Sequence, residues 1–221
     1  MREDRGILLY THPKGKRNSY PLIEFTNGRV QVNQDTVEDH WNNLNLSYSP
    51  MELYEHIHDV TTELTRLFRS RFQPSTILDI EQRWLSFVSR KAFRRHKPEN
   101  TPSADFSTER GIWLQARKVY SMKQFRRIYA HESGHAVDAI QGTMKNREKP
   151  MRDVMANLVA QRFGTRNGYK GAKYREAEEA LRRFNESYRE LPFLEQWSML
   201  DNVRSIRELE VLLDPPRISR A

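Results

Sequence analysis

The chain contains no cysteine. Disulfides, thiolate metal centres and cysteine nucleophiles are therefore closed to it. It has to fold on an apolar core alone, and any metal site has to be built from His, Asp and Glu. Its 221 residues, 37% hydrophobic and 10% aromatic, are enough to bury such a core. This length suits one domain with decoration, or one domain plus a small appendage. No stretch approaches the ~20 apolar residues that span a bilayer. The charged start Met1 to Arg5 leads only into the brief apolar run Ile7 to Tyr10, too short for the apolar core of a signal peptide. The expectation is a protein with no transmembrane segment and no membrane partner.

Lysine and arginine number 37 against 29 acidic residues, a net charge of +8 and a pI near 9.8. Such a balance favours contact with polyanions, nucleic acid among them, or with acidic surfaces. The excess is spread along the chain, and its densest part is Arg90-Lys91-Ala92-Phe93-Arg94-Arg95-His96-Lys97. No nucleic-acid-binding motif accompanies it, so the plain reading is a solvated basic edge.

The patterning predicts an α+β fold. Leu22 to Val32 alternates apolar and polar residues around Asn27-Gly28, a strong hairpin signal, and Ile7 to Thr11 reads as a third strand. After a polar, Asn-rich stretch, Ser49, Pro50 and Glu52 form a helix start, and helical spacing from Leu53 carries that helix to near Phe72. Residues 76–120 return to β character. There Trp84 to Phe93 reads as strand or helix, Lys97 to Ser103 as a loop, and Gly111 to Arg117 as a strand. From Ser121 the chain reads as helix: one capped by Ser121 and Gln124 and ending at Gly142, one from Pro150 to Gly164, then a Gly-rich loop from Thr165 to Lys173. Two or three helices follow, from Tyr174 to Glu190 and from Phe193 to Leu213. The expected organisation is an N-terminal β-rich region (1–47), a core (48–164) and a helical C-terminal region (165–221).

On the helix from Met122 to Gln141 stands His131-Glu132-Ser133-Gly134-His135, the pattern His-Glu-x-x-His. Two histidines at i and i+4 lie one turn apart on one face, where two imidazoles can grip one Zn²⁺. The intervening Glu132 points partly aside, placed to act as a general base on water rather than as a ligand. Phe125, Ile128, Tyr129, Ala136, Val137 and Ile140 form an apolar arc with the histidines at its edge, and Gly134 allows another backbone to come close. A catalytic zinc needs a third protein ligand. Asp153 on the next helix, sharing a face with Asn157 and Ala160, is the expected one, with Glu148 as runner-up and Glu176 a more distant alternative. Asn157 is not expected to matter for metal binding. Asp138 faces the histidines and is suited to orient an imidazole N–H or to anchor the neighbouring loop, and a plain surface aspartate is the other reading.

These residues carry a resemblance. His131 to Asp138, His-Glu-Ser-Gly-His-Ala-Val-Asp, resembles the zinc-site helix of the anthrax lethal factor type of metalloprotease, and is similar to the His-Glu-x-Gly-His segment of phage head-associated proteins. Asp153-x-x-Ala156-Asn157 resembles the Glu-x-x-Ala-[Glu/Asp/Asn] helix that supplies the third ligand in zincin families, with Asp, one methylene shorter, where Glu is usual. The likeness runs from Gly111 to Phe163. It implies a zincin-like core, a small sheet plus two zinc-site helices, and a peptide or protein substrate. It also implies that Gly111 to Arg117 is a sheet edge to which an extended peptide adds as a further strand. Zincins often carry a further oxyanion-stabilising residue, and Tyr169 is the candidate for that role.

The expected function is zinc-dependent hydrolysis of peptide bonds, with His131, His135 and Asp153 as ligands and Glu132 and Tyr169 as catalytic residues. Two other classes stay open: a structural or interaction protein, such as part of a phage particle, with a structural or vestigial zinc site, and a basic protein associated with nucleic acid. The expected location is cytoplasmic or virion-associated.

Overall fold

A computed structural model describes residues 5–11, 18–26, 29–71, 85–88, 104–107, 111–164 and 174–214 of the chain. The Asn27-Gly28 pair, the basic run at 90–97, the loop at 97–103, the Gly-rich loop at 165–173 and Tyr169 lie outside these residues. The architecture is mixed α+β.

Six strands form one sheet: β1 (Arg5–Thr11), β2 (Asn18–Thr26), β3 (Arg29–Val32), β4 (Leu85–Val88), β5 (Ala104–Ser107) and β6 (Gly111–Gln115), in the order β3-β2-β1-β4-β6-β5. Strands β2 and β3 pair antiparallel with Thr26 opposite Arg29, the register that a two-residue hairpin connection imposes. Strand β1 continues this meander but also pairs parallel with β4, which pairs parallel with β6. The strands of residues 1–47 thus share a sheet with those of residues 48–164.

The burial of β4 explains its ambiguous sequence. All four of its residues are buried, as in a central parallel strand covered on both faces, so no alternation marks it. Strand β5 is an element that the sequence did not disclose, because four residues are too few for a periodic signal.

Among the described residues, six longer helices follow from local signals. Helix α1 (Pro50–Phe68) starts at a capping box in which Glu52 N–H donates to Ser49 Oγ at 3.2 Å and Ser49 N–H to Glu52 Oε2 at 2.7 Å. It stops short of Phe72 because the chain turns at Arg69, and the Arg71 guanidinium reaches Asp201 at 2.6 Å. Helix α2 (Met122–Ile140) begins at the Ser121–Gln124 capping box, and Gly142 (φ +77°) takes the left-handed conformation just past its end. Helix α3 (Lys149–Arg162) is followed by Gly164, also left-handed at φ +68°. Helix α4 (Arg175–Tyr188) buries Ala177, Ala180, Leu181 and Phe184, spaced three and four apart. The remaining tail is two helices, α5 (Phe193–Leu200) and α6 (Ile206–Leu213), broken where Asp201 accepts hydrogen bonds from Arg71 and Gln141. One apolar core runs from Leu22 through α1 and α2 to Leu209.

Helix α2 is the centre of this arrangement. Beyond the expected apolar arc, it also buries Ala130, His131, Glu132, Ser133, Gly134 and Asp138, so the middle of the helix is covered almost all round. Helix α3 packs against it at the closest range the backbone allows. A Cβ on Gly134 would lie 2.6 Å from Ala156 Cα and 2.8 Å from Ala156 O, distances that real side chains do not tolerate. In an open helix Gly→Ala is worth roughly 1 kcal/mol of gain. Here the clash with backbone reverses the sign. Gly134→Ala is expected to destabilise the fold by ~1–3 kcal/mol, the usual cost of overpacking, seen as a lower midpoint in urea. A midpoint at or above that of the unsubstituted chain would show that the two helices can separate at no cost.

Candidate metal centre

The close approach of α2 and α3 brings three donors together. His131 and His135 on α2 and Asp153 on α3 place ligand atoms all within 4.8 Å of one another, a group that can hold a metal ion. Asp153 Oδ1 lies 3.5 Å from His135 Nε2 and 3.9 Å from His131 Nε2. The two imidazoles stand at 90° with centroids 4.7 Å apart. A tetrahedral Zn²⁺ about 2.1 Å from each donor sets neighbouring donors roughly 3.4 Å apart, and the two distances from Asp153 Oδ1 are close to that spacing already. His131 and Asp153 are buried, while 15% of the His135 side chain is exposed, so the cluster opens on the His135 side.

The protonation pattern suits ligation. His131 Nδ1 lies 2.8 Å from Asn157 Oδ1 inside the protein. An amide oxygen only accepts, so Nδ1 carries the proton and donates, and Nε2 keeps its lone pair on the side of Asp153. Burial, followed by the charge of His135, holds the His131 pKa down to about 3, so this imidazole is neutral. Burial also works against charge on His135, but the hydrogen bond to Asp153 and the charges of Glu132 and Asp153 outweigh it and raise that pKa. For Asp153, burial favours the neutral acid, yet His135 and Lys149 overcome it and keep the carboxyl below its ordinary range. The site therefore presents one neutral imidazole and one carboxylate paired with the second imidazole.

Around these donors stand further groups. Glu132 is buried beside the histidines, and its negative charge is felt by both His135 and Tyr174. Tyr174, just before α4, is buried as well. Desolvation first, then the charges of Asp153, Glu132 and Asp105, push its phenol up to about 12, so it stays protonated. Lys149 Nζ donates to Asp153 Oδ2 at 2.9 Å and sits 5.3 Å from the centroid of the Tyr174 ring.

Several expectations change here. Asn157 is in contact with His131 and orients it, contrary to its expected irrelevance. Groups in this position typically carry 10- to 100-fold of metal affinity. Asn157→Ala is accordingly expected to weaken zinc binding ~10- to 100-fold in a chelator competition titration. An unchanged affinity would mean that His131 needs no orientation from α3. The repeat of four in Lys149, Asp153 and Asn157, one helical face of α3, was the signal available in the sequence.

Glu148 and Glu176 do not join the cluster. Both are exposed, and the Glu148 backbone N–H is engaged by Arg204 O at 2.8 Å. Asp138 anchors the following loop rather than an imidazole: Thr143 Oγ1 donates to its Oδ1 at 2.6 Å and Arg147 Nε at 3.1 Å. Buried Arg147 also donates to the carbonyls of Leu200, Asp201 and Val203, which fixes the loop that brings α3 back along α2.

Strand β6 is not a sheet edge. It is paired on both sides, by β4 and by β5, and ends at Gln115 where a tight turn, Ala116–Lys118, begins. Among the described strands, β5 stands last in the order on this side, antiparallel to β6 and packed against α2.

A cleft of about 780 Å³ lies away from the cluster, with Arg66, Arg69, Arg162 and Arg189 in its walls. Three of these arginines already meet carboxylates, Arg66 and Arg162 at Glu63 and Arg189 at Glu190, so much of its charge is neutralised within the chain. No helix among the described residues is long and apolar enough to cross a membrane. Comparison with known proteins found no matching family, no matching curated protein and no matching solved structure.

Proposed function

We propose that the chain is a zinc-dependent peptidase. The observation that carries this reading is the buried His131–His135–Asp153 group with Glu132 beside it. A fully structural zinc site takes four protein ligands, whereas a catalytic site takes three and keeps one position open. Three donors are brought together among the described residues, and the cluster is open at His135.

In this reading His131 Nε2, His135 Nε2 and one oxygen of Asp153 hold the ion. When bound, zinc supplies a Lewis acid that polarises the scissile carbonyl and makes water more acidic. Glu132 takes the proton of the attacking water and passes it to the leaving amine. The protonated Tyr174 phenol donates to the developing oxyanion, the role first assigned to Tyr169. The sheet with α2 and α3 on it would then be a zincin-like core.

The alternative is an interaction protein with a structural zinc, and the deep burial of His131 and Asp153 suits that reading too. A peptide-library cleavage assay with the zinc-loaded chain separates the two. The proposal expects cleavage that a chelator removes and added zinc restores. A chain that holds its zinc yet cuts no peptide or protein substrate would favour the structural role.

A further inference from the structure

The geometry points to Lys149 as the residue that makes Asp153 a one-oxygen ligand. This rests on the reading that the cluster binds a metal. A carboxylate can ligate through one oxygen or both, and the choice sets how many positions are left for water and substrate. In Asp153 the two oxygens are already divided. Oδ1 faces the two histidines, at 3.5 and 3.9 Å. Oδ2 accepts from the Lys149 ammonium at 2.9 Å.

The division is built into α3. Lys149 and Asp153 are four apart on one helical face, so the ammonium reaches the carboxylate without bending the chain. The Asp153 carboxylate is 4% exposed, and an oxygen at that depth needs a donor. Lys149 is itself 68% exposed, which leaves its ammonium hydrated on the outer side. The Tyr174 ring, 5.3 Å from Nζ, gives the cation a second attractive surface and limits its swing. With the lysine gone, nothing in this set of contacts would keep Oδ2 from turning inward beside Oδ1. It would then fill the position on the metal that the substrate carbonyl needs.

Lys149 is a positioning residue in this account, and the test has to read coordination rather than activity alone. Lys149 is itself 68% exposed, and the bound metal offsets the charge left on buried Asp153, so Lys149→Met should fold when loaded. Full-length protein, unsubstituted and as Lys149→Met and Lys149→Arg, is loaded with Zn²⁺ and with Co²⁺. Zinc-edge X-ray absorption and the visible spectrum of the cobalt form are then recorded. The unsubstituted chain should show about four ligands and Lys149→Met about five, with weaker visible absorption. Lys149→Arg, which keeps a cationic donor, should match the unsubstituted chain. Zinc affinity should move little, because loss of an orienting bond and loss of a nearby positive charge act in opposite directions. A Lys149→Met spectrum identical to that of the unsubstituted chain overturns the role of Lys149 and leaves the metal site standing. So does a variant that loses the metal outright. Failure of the unsubstituted chain to take up either ion removes both this inference and the metal reading.

Discussion

Replacing Glu132 by Ala is expected to leave zinc and fold intact while peptide cleavage falls by ~10²–10⁴, the usual loss for a positioned general base. The expectation follows from where Glu132 sits. It is buried next to the histidines but is not one of the three residues whose donor atoms converge. Its charge nonetheless acts on His135 and Tyr174. Removing it subtracts a proton acceptor and no ligand. The variant should melt at or above the temperature of the unsubstituted chain, since a carboxylate kept in a buried site for chemistry is commonly destabilising. Zinc content, melting temperature and cleavage rate are measured on the same preparations. Equal cleavage with zinc bound in both proteins would end the hydrolase reading.

The second large effect is expected at Asp153. Asp153→Ala removes the only carboxylate of the converging group and leaves two imidazoles, which hold Zn²⁺ poorly. Affinity should fall by orders of magnitude in competition with a chromophoric chelator. His135→Ala should be as damaging. Glu148→Ala should change nothing, because that side chain is exposed at the start of α3. A strong effect at Glu148 with a weak one at Asp153 would mean that α3 is wrongly aligned on α2. The fold should survive Asp153→Ala, since Lys149, its partner at Oδ2, is solvent-exposed and can hydrate once the carboxylate is gone.

Most of what was legible in the sequence was local. The capping boxes at Ser49 and Ser121, the glycines past the ends of α2 and α3, and the hairpin register across residues 27–28 depend on a few neighbouring residues, and they stand where the sequence put them. The site was legible for the same reason. One helical turn fixes His131 against His135, and Gly134 announces a neighbouring backbone, here that of Ala156. What the sequence hid depends on long-range contact. Strand β5 is short and owes its place to pairing with β6. Strand β6 lies inside the described sheet, between β4 and β5, because strand order is a property of the whole sheet. The roles of Asn157 and Lys149 arise only when α3 lies along α2, since each acts on a side chain that α3 presents or meets there. The tail breaks at Asp201, where Arg71, just past the end of α1, arrives.

The most direct test of the metal centre is anomalous diffraction at the zinc edge from crystals of the purified chain equilibrated with Zn²⁺. The account predicts a single strong peak between His131 Nε2, His135 Nε2 and Asp153 Oδ1, with Glu132 near it but outside bonding distance. A map with no peak among these three residues, or with its strong peak at another site, would contradict it.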